Sequence, residues 1–160
     1  MKRRRNSERV ARPSSDAQAV RDLAWFRYSL RKFLRFSERA ARNHGLTPQQ
    51  HQLLLGVAGY AEGGRATVSQ LAEFLQERHH AVSELVGRCV KRGLVRKAAD
   101  AEDRRVVQVS LTSKGESVLA KLSKLHCTQV AQLRAGLLYL KRTRRRGESR
   151  SARKDINERQ

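Results

Sequence analysis

The chain has 160 residues, with 35 Lys and Arg against 15 Asp and Glu and a formal net charge of +20. Such an excess points to a polyanionic partner, because neutralising phosphates releases counterions and supplies sequence-independent affinity. Two cysteines make no disulfide framework and fit a reducing compartment, and the longest apolar stretch, Leu53 to Ala61, is too short to cross a bilayer.

The charge is unevenly spread. Residues 1–15 hold six Lys and Arg against one Glu (+5), residues 141–160 hold nine against three acids (+6), and the middle keeps +9. Met1-Lys2-Arg3-Arg4-Arg5 is followed by polar residues, so it does not read as a secretory signal. Residues 1–14 lack periodicity and are expected to form a disordered basic arm. The first helix starts at Ser15, where Ser15-Asp16-Ala17-Gln18 matches a capping box. Val20, Leu23, Leu30, Phe33 and Leu34 recur at helical spacing, and Trp25, Phe26 and Tyr28 add bulk, up to a stop at Asn43-His44-Gly45. A helix of about 40 Å at ~1.5 Å per residue is too long for a domain this small to cover, so it needs a partner.

Thr47-Pro48-Gln49-Gln50 opens a second helix with a cap, a first-turn proline and a glutamine three residues on. It carries Leu53, Leu54, Leu55 and Val57 and ends before Gly63-Gly64. Thr67-Val68-Ser69-Gln70 repeats the start signal for a short third helix, which breaks at Gln76-Glu77. The fourth runs from His79 to Arg92 with Val82, Leu85, Val86 and Cys89 on one stripe, and Gly93 ends it. Leu94 to Lys97 and Val106 to Leu111 then read as two strands around the tip Asp100-Ala101-Glu102-Asp103-Arg104-Arg105. In the second of these, Val107, Val109 and Leu111 point one way. Thr112 caps a last helix to about Leu140, with Val118, Leu122, Leu125, Leu133 and Leu137 on one side, and a disordered basic tail follows from Lys141.

Two helices in tandem followed by a basic hairpin make a winged helix-turn-helix, a device for reading duplex DNA. An α-helix fits the major groove and its N-terminal side chains reach base edges while the preceding helix braces it. The exposed N-terminal positions of the fourth helix are Arg78, His79, His80, Ser83, Glu84 and Gly87 or Arg88. Arg78 donates to guanine or phosphate, the two histidines donate or accept by tautomer, and Glu84 accepts from cytosine or keeps phosphate away. Glu84 is unusual on a helix meant for DNA. Thr67, Ser69 and Gln70, at the start of the third helix, are further candidate contacts. In the hairpin, Asp103 can fix one of Arg104 and Arg105 while the other enters the narrow minor groove, with Lys97 beside them.

From about Leu46 to Glu116 the chain resembles the MarR family of transcriptional regulators. The matching stretches are Leu46-Thr47-Pro48-Gln49, Val68-Ser69-Gln70-Leu71-Ala72 and Val82-Ser83-Glu84-Leu85-Val86-Gly87-Arg88, then Lys91-Arg92-Gly93-Leu94-Val95, Asp100 to Arg105 and Leu111-Thr112-Ser113-Lys114-Gly115-Glu116. The last three, in that order and spacing, are the specific ones. The resemblance implies a mainly α protein with a small β-hairpin wing, dimerising through its N- and C-terminal helices. It implies binding to a near-palindromic operator, release by a small phenolic or other lipophilic effector, and a wing-tip Asp-x-Arg at Asp103 and Arg105. Glu84, where many relatives carry Arg or another polar residue, and the two basic tails are departures.

The expected organisation is a basic arm at 1–14, a domain at 15–140 with a winged-helix core at about 46–112 between dimerisation helices at about 15–44 and 113–140, and a tail at 141–160. Two long amphipathic end helices would pair about a two-fold and set two reading heads one DNA turn apart, ~34–36 Å. An effector pocket would lie near Trp25, Tyr28, His44 and His51. No metal site is expected, because His79-His80 and His126-Cys127 are adjacent pairs whose side chains diverge by about 100° on a helix. Cys89 fits a small core residue. With no nucleophile–base pair, phosphate loop or paired carboxylates, neither an enzyme nor a cofactor is expected. The reading is a cytoplasmic, nucleoid-associated regulator, a repressor, that binds double-stranded DNA as a homodimer, with no membrane among its expected partners. The alternative is a nonspecific or architectural nucleic-acid binder dominated by its basic arms.

Overall fold

The computed structural model describes residues 15–60, 64–100 and 106–134. Helix α1 is Ser15–Asn43, α2 Pro48–Tyr60, α3 Val68–Leu75 and α4 His79–Lys91. Strands β1, β2 and β3 are Arg65–Thr67, Val95–Ala99 and Val107–Leu111, and a last helix, α5, covers residues 113–134. The described residues divide into two compact units, 33–132 in one and 15–32 with 133–134 in the other.

Within 33–132 the helix starts are those the sequence signals. Thr47 accepts from the Gln50 amide (3.2 Å) while the Gln50 side chain accepts from the Thr47 amide (3.0 Å). Thr67 and Gln70 repeat the exchange at 3.2 and 2.8 Å. Each box satisfies two amides that the first turn of a helix leaves open.

The helix ends share a second device. At the end of α4 the Leu94 amide donates to the Cys89 carbonyl (3.0 Å) and Gly93 to Val90 (2.8 Å), with Gly93 at φ +65°. A left-handed residue there turns the chain without a Cβ clash, and buried Leu94 completes the motif. Gly45 and Leu46 close α1 in the same way. Gln76 does so for α3 at φ 54°, where its own side-chain amide donates to the Glu73 carbonyl (2.7 Å).

The core lies where α2, α3, α4 and the sheet meet. Leu53, Leu54, Val57, Leu71, Val82, Leu85, Val86, Cys89, Leu94, Val95 and Val109 are buried there, joined by Leu119 and Leu122 of α5. The sheet is antiparallel in the order β1-β3-β2, so the wing hairpin carries a third strand that sequence reading passed over. Ala66 pairs with Val109 on one side, and Lys97 pairs with Val109 on the other. In β3 the expected apolar alternation is incomplete: Val109 is buried, but Val107 at the outer end is exposed. The apolar line of α5 is also displaced, since Leu125 is exposed and the buried positions run Gly115, Leu119, Leu122 and His126.

The Leu111-to-Gly115 stretch acquires a physical reason here. The Thr112 hydroxyl donates to the Gly93 carbonyl (2.6 Å) and accepts the Gly115 amide (3.1 Å), capping α5 against the end of α4. Lys114 Nζ donates to the Arg92 carbonyl (2.9 Å). Gly115 rests directly on the Leu94 carbonyl, where any Cβ would overlap the backbone. Arg92 ties the same corner to α2, donating to Gln50 Oε1 and the Gly45 carbonyl, both at 2.7 Å.

Candidate nucleic-acid interface

Helix α4 has two unlike sides. Val82, Leu85, Val86 and Cys89 are buried, fixing the helix in the core along one stripe. At 100° per residue the opposite stripe is His80, Glu84, Gly87 and Lys91, with His79, Ser83 and Arg88 flanking it. Arg78 stands at the N-cap in extended conformation without a side-chain capping bond. The first-turn amides of α4 are therefore not closed by a box as those of α3 are, which leaves donors and the positive end of the helix dipole for an outside acceptor.

Of the residues expected to read DNA, Arg78, His79, His80, Glu84 and Arg88 are exposed and Ser83 is half-buried. Glu84 and Arg88 lie 3.8 Å apart as an i, i+4 pair with both side chains more than half exposed. At the start of α3, Ser69 is exposed, but Thr67 and Gln70 are engaged with each other in the capping box, so their first role is to hold α3. Lys97 is exposed on β2. The hairpin continues through the Asp100 amide bonded to the Val106 carbonyl (2.9 Å), and Gln108 donates to the Asp100 carboxylate (2.9 Å). Asp103, Arg104 and Arg105 lie outside the described residues.

Of the four residues named for an effector pocket, Trp25 and Tyr28 belong to one unit and His44 and His51 to the other. Trp25 and Tyr28 are exposed on α1 and meet edge to face at 5.5 Å, with the Lys32 ammonium 5.8 Å from the Tyr28 ring. His44 is half-buried at the end of α1, with Nδ1 against the Ala40 carbonyl. His51 is 2% exposed and stands 5.1 Å from His126, which in the sequence figures only as a neighbour of Cys127. His126 Nδ1 approaches the Leu122 carbonyl at 2.6 Å, Phe33 and Phe36 meet its ring edge on, and its Nε2 is buried without a hydrogen-bond partner. Burial first, and then the neighbouring imidazole of His126, push the His51 pKa down to about 4. Among the described residues no group of three or more metal-binding side chains comes together.

A tandem helix pair braced on a three-stranded wing, with one helix presenting a polar stripe outward, defines a winged helix-turn-helix. Residues 44–106, the winged-helix segment, match the model of the MarR family. Comparison with curated protein sequences gives no match. Among solved structures, AbsC, a MarR family transcriptional regulator from Streptomyces coelicolor, is 23% identical with a TM-score of 0.64, over 91% of this chain and 95% of that one. A MarR family protein from Bacillus stearothermophilus is 19% identical with a TM-score of 0.66, over 88% and 99%. A mutant MepR from S. aureus bound to an oligodeoxyribonucleotide is 17% identical with a TM-score of 0.57, over 83% and 96%. At these identities the likeness is one of fold.

Proposed function

We propose that this protein is a sequence-specific regulator of transcription that binds double-stranded DNA as a homodimer, with α4 in the major groove. The observation that carries the reading is the two-sidedness of α4. Its apolar stripe is locked into the core, which fixes the direction of the polar residues on the other side. A reading head needs this, because base contacts discriminate only when side chains arrive in a set geometry. The net charge of +20 supplies the attraction to phosphate, and the nucleotide complex of MepR supports the same use of the fold.

Further parts of the proposal follow the same logic. Val20, Leu23, Trp25 and Leu34 on α1, and Leu125 and Val130 on α5, are exposed apolar side chains that a second copy would cover. A two-fold dimer calls for a near-palindromic operator, and the protein acts on it as a repressor in the cytoplasm. Among the described residues no helix is long and apolar enough to cross a membrane. Lys97, Asp103, Arg104 and Arg105 serve as the wing contacts, and a small-molecule effector modulates the binding.

Selection from a random duplex library at about 0.15 M salt, with sequencing of the bound pool, tests the reading. An enriched inverted repeat with half-sites about one helical turn apart is expected. A flat pool lost steeply with added salt would instead mean that the basic arms bind and the helix does not read.

A further inference from the structure

Two residues on the outward stripe of α4 have no explanation in the fold. Glu84 is the one acidic residue among the thirteen of this helix, and it stands opposite the buried stripe. In a chain of net charge +20, a carboxylate there works against attraction to phosphate. Its ion pair with Arg88 is loose and exposed, and a pair of that kind contributes only a few tenths of a kcal/mol.

Gly87 is the second. A glycine inside a helix costs about 1 kcal/mol relative to alanine. The backbone at Gly87 is not left-handed, and a Cβ built there meets nothing within 4 Å. Neither conformation nor internal packing asks for glycine, in contrast to Gly115, where a Cβ would strike the Leu94 carbonyl. A surface approaching from outside would ask for it.

We propose that Glu84 is the base-selecting residue of α4. Its carboxylate accepts a hydrogen bond from an exocyclic amine in the major groove, and Gly87, three residues on, lets that base edge come against the helix. This rests on the reading of α4 as the recognition helix. An ionised carboxylate only accepts. In the major groove the donors are the N4 amine of cytosine and the N6 amine of adenine, whereas guanine O6 and N7, thymine O4 and the phosphates are all acceptors. Glu84 thus selects an amino base over a keto base at one position of each half-site, and it penalises docking on phosphate alone.

The experiment is the same library selection run on the full chain and on Glu84→Ala and Gly87→Ala. Glu84 is exposed and a Cβ at Gly87 meets nothing within 4 Å, so the variants keep the fold, which circular dichroism and thermal melting check. Wild type should enrich cytosine or adenine at one position per half-site, and the base found names the amine. In Glu84→Ala that preference should fall roughly tenfold while the other positions keep theirs. Gly87→Ala should melt at a higher temperature yet bind the selected duplex roughly tenfold less tightly. If wild type selects a site and Glu84→Ala selects it with unchanged base frequencies, the proposal is overturned and the recognition-helix reading survives. If wild type enriches nothing, both fall.

Discussion

Acid should weaken this fold through His51. The ring is buried beside His126, and its pKa is pushed from 6.5 down to about 4, chiefly by loss of water and secondarily by the second imidazole. A histidine with a depressed pKa in the folded state holds fewer protons folded than unfolded. Its contribution is therefore fully present above about pH 6.5 and is lost as the pH falls from there towards about 4. At about pH 5 the unfolded chain has taken the proton and the folded chain has not, which costs roughly 2 kcal/mol; by about pH 4 the cost approaches roughly 3 kcal/mol. That is a large share of a typical domain stability of about 5–15 kcal/mol. Urea titrations of wild type and His51→Leu at about pH 7.5, 6 and 5 measure it. Carboxylates that protonate in the same range act on both proteins and cancel in the difference. Wild type should lose roughly 2 kcal/mol more than the variant between about pH 7.5 and 5. Equal losses in the two proteins would refute the argument.

Two further expectations come from the packing. Gly115→Ala should destabilise by about 1–3 kcal/mol or more, because the new methyl meets the Leu94 carbonyl and no flexible side chain can yield. A melting temperature within a degree of wild type would show that α5 shifts freely, contrary to the Thr112 and Lys114 bonds that hold its start. The two thiols should separate cleanly under a thiol-labelling reagent. Cys127 is exposed and reacts at once, whereas Cys89 is buried and burial raises its pKa to about 11, against smaller opposing effects of Arg88 and Arg92. One equivalent should react in native buffer and the second only in denaturant, and rapid labelling of both would contradict the buried stripe of α4.

Much of the fold was written in short-range signals. Thr47 with Gln50, and Thr67 with Gln70, announce helix starts because a hydroxyl and an amide three residues apart satisfy each other's amides within a single turn. The stop at Gly93 and the apolar stripe of α4 are local in the same sense, since period and conformation are properties of consecutive residues. The outward direction of Arg78, His79, His80, Glu84 and Arg88 followed from that stripe.

What the tertiary structure decided lies far apart along the chain. Strand β1 is three residues long, too short for an alternation to register, and it exists because Ala66 finds Val109. Arg92 was a residue in a motif until the fold brought Gln50 and Gly45 to its guanidinium. His51 and His126, on α2 and α5, carry no sign of each other in their neighbours, yet burial and then their meeting depress the pKa of His51. The contrast between Gly87 and Gly115 belongs here too. Both are glycines in helices, and only the surroundings show that one is required by a neighbouring carbonyl and the other by nothing inside the protein. Sequence alone determined the helices, the wing hairpin and the face of α4, because hydrogen bonding and periodicity act over a few residues. Contacts between distant residues had to wait for the chain to fold back on itself, because no local pattern encodes which surfaces will meet.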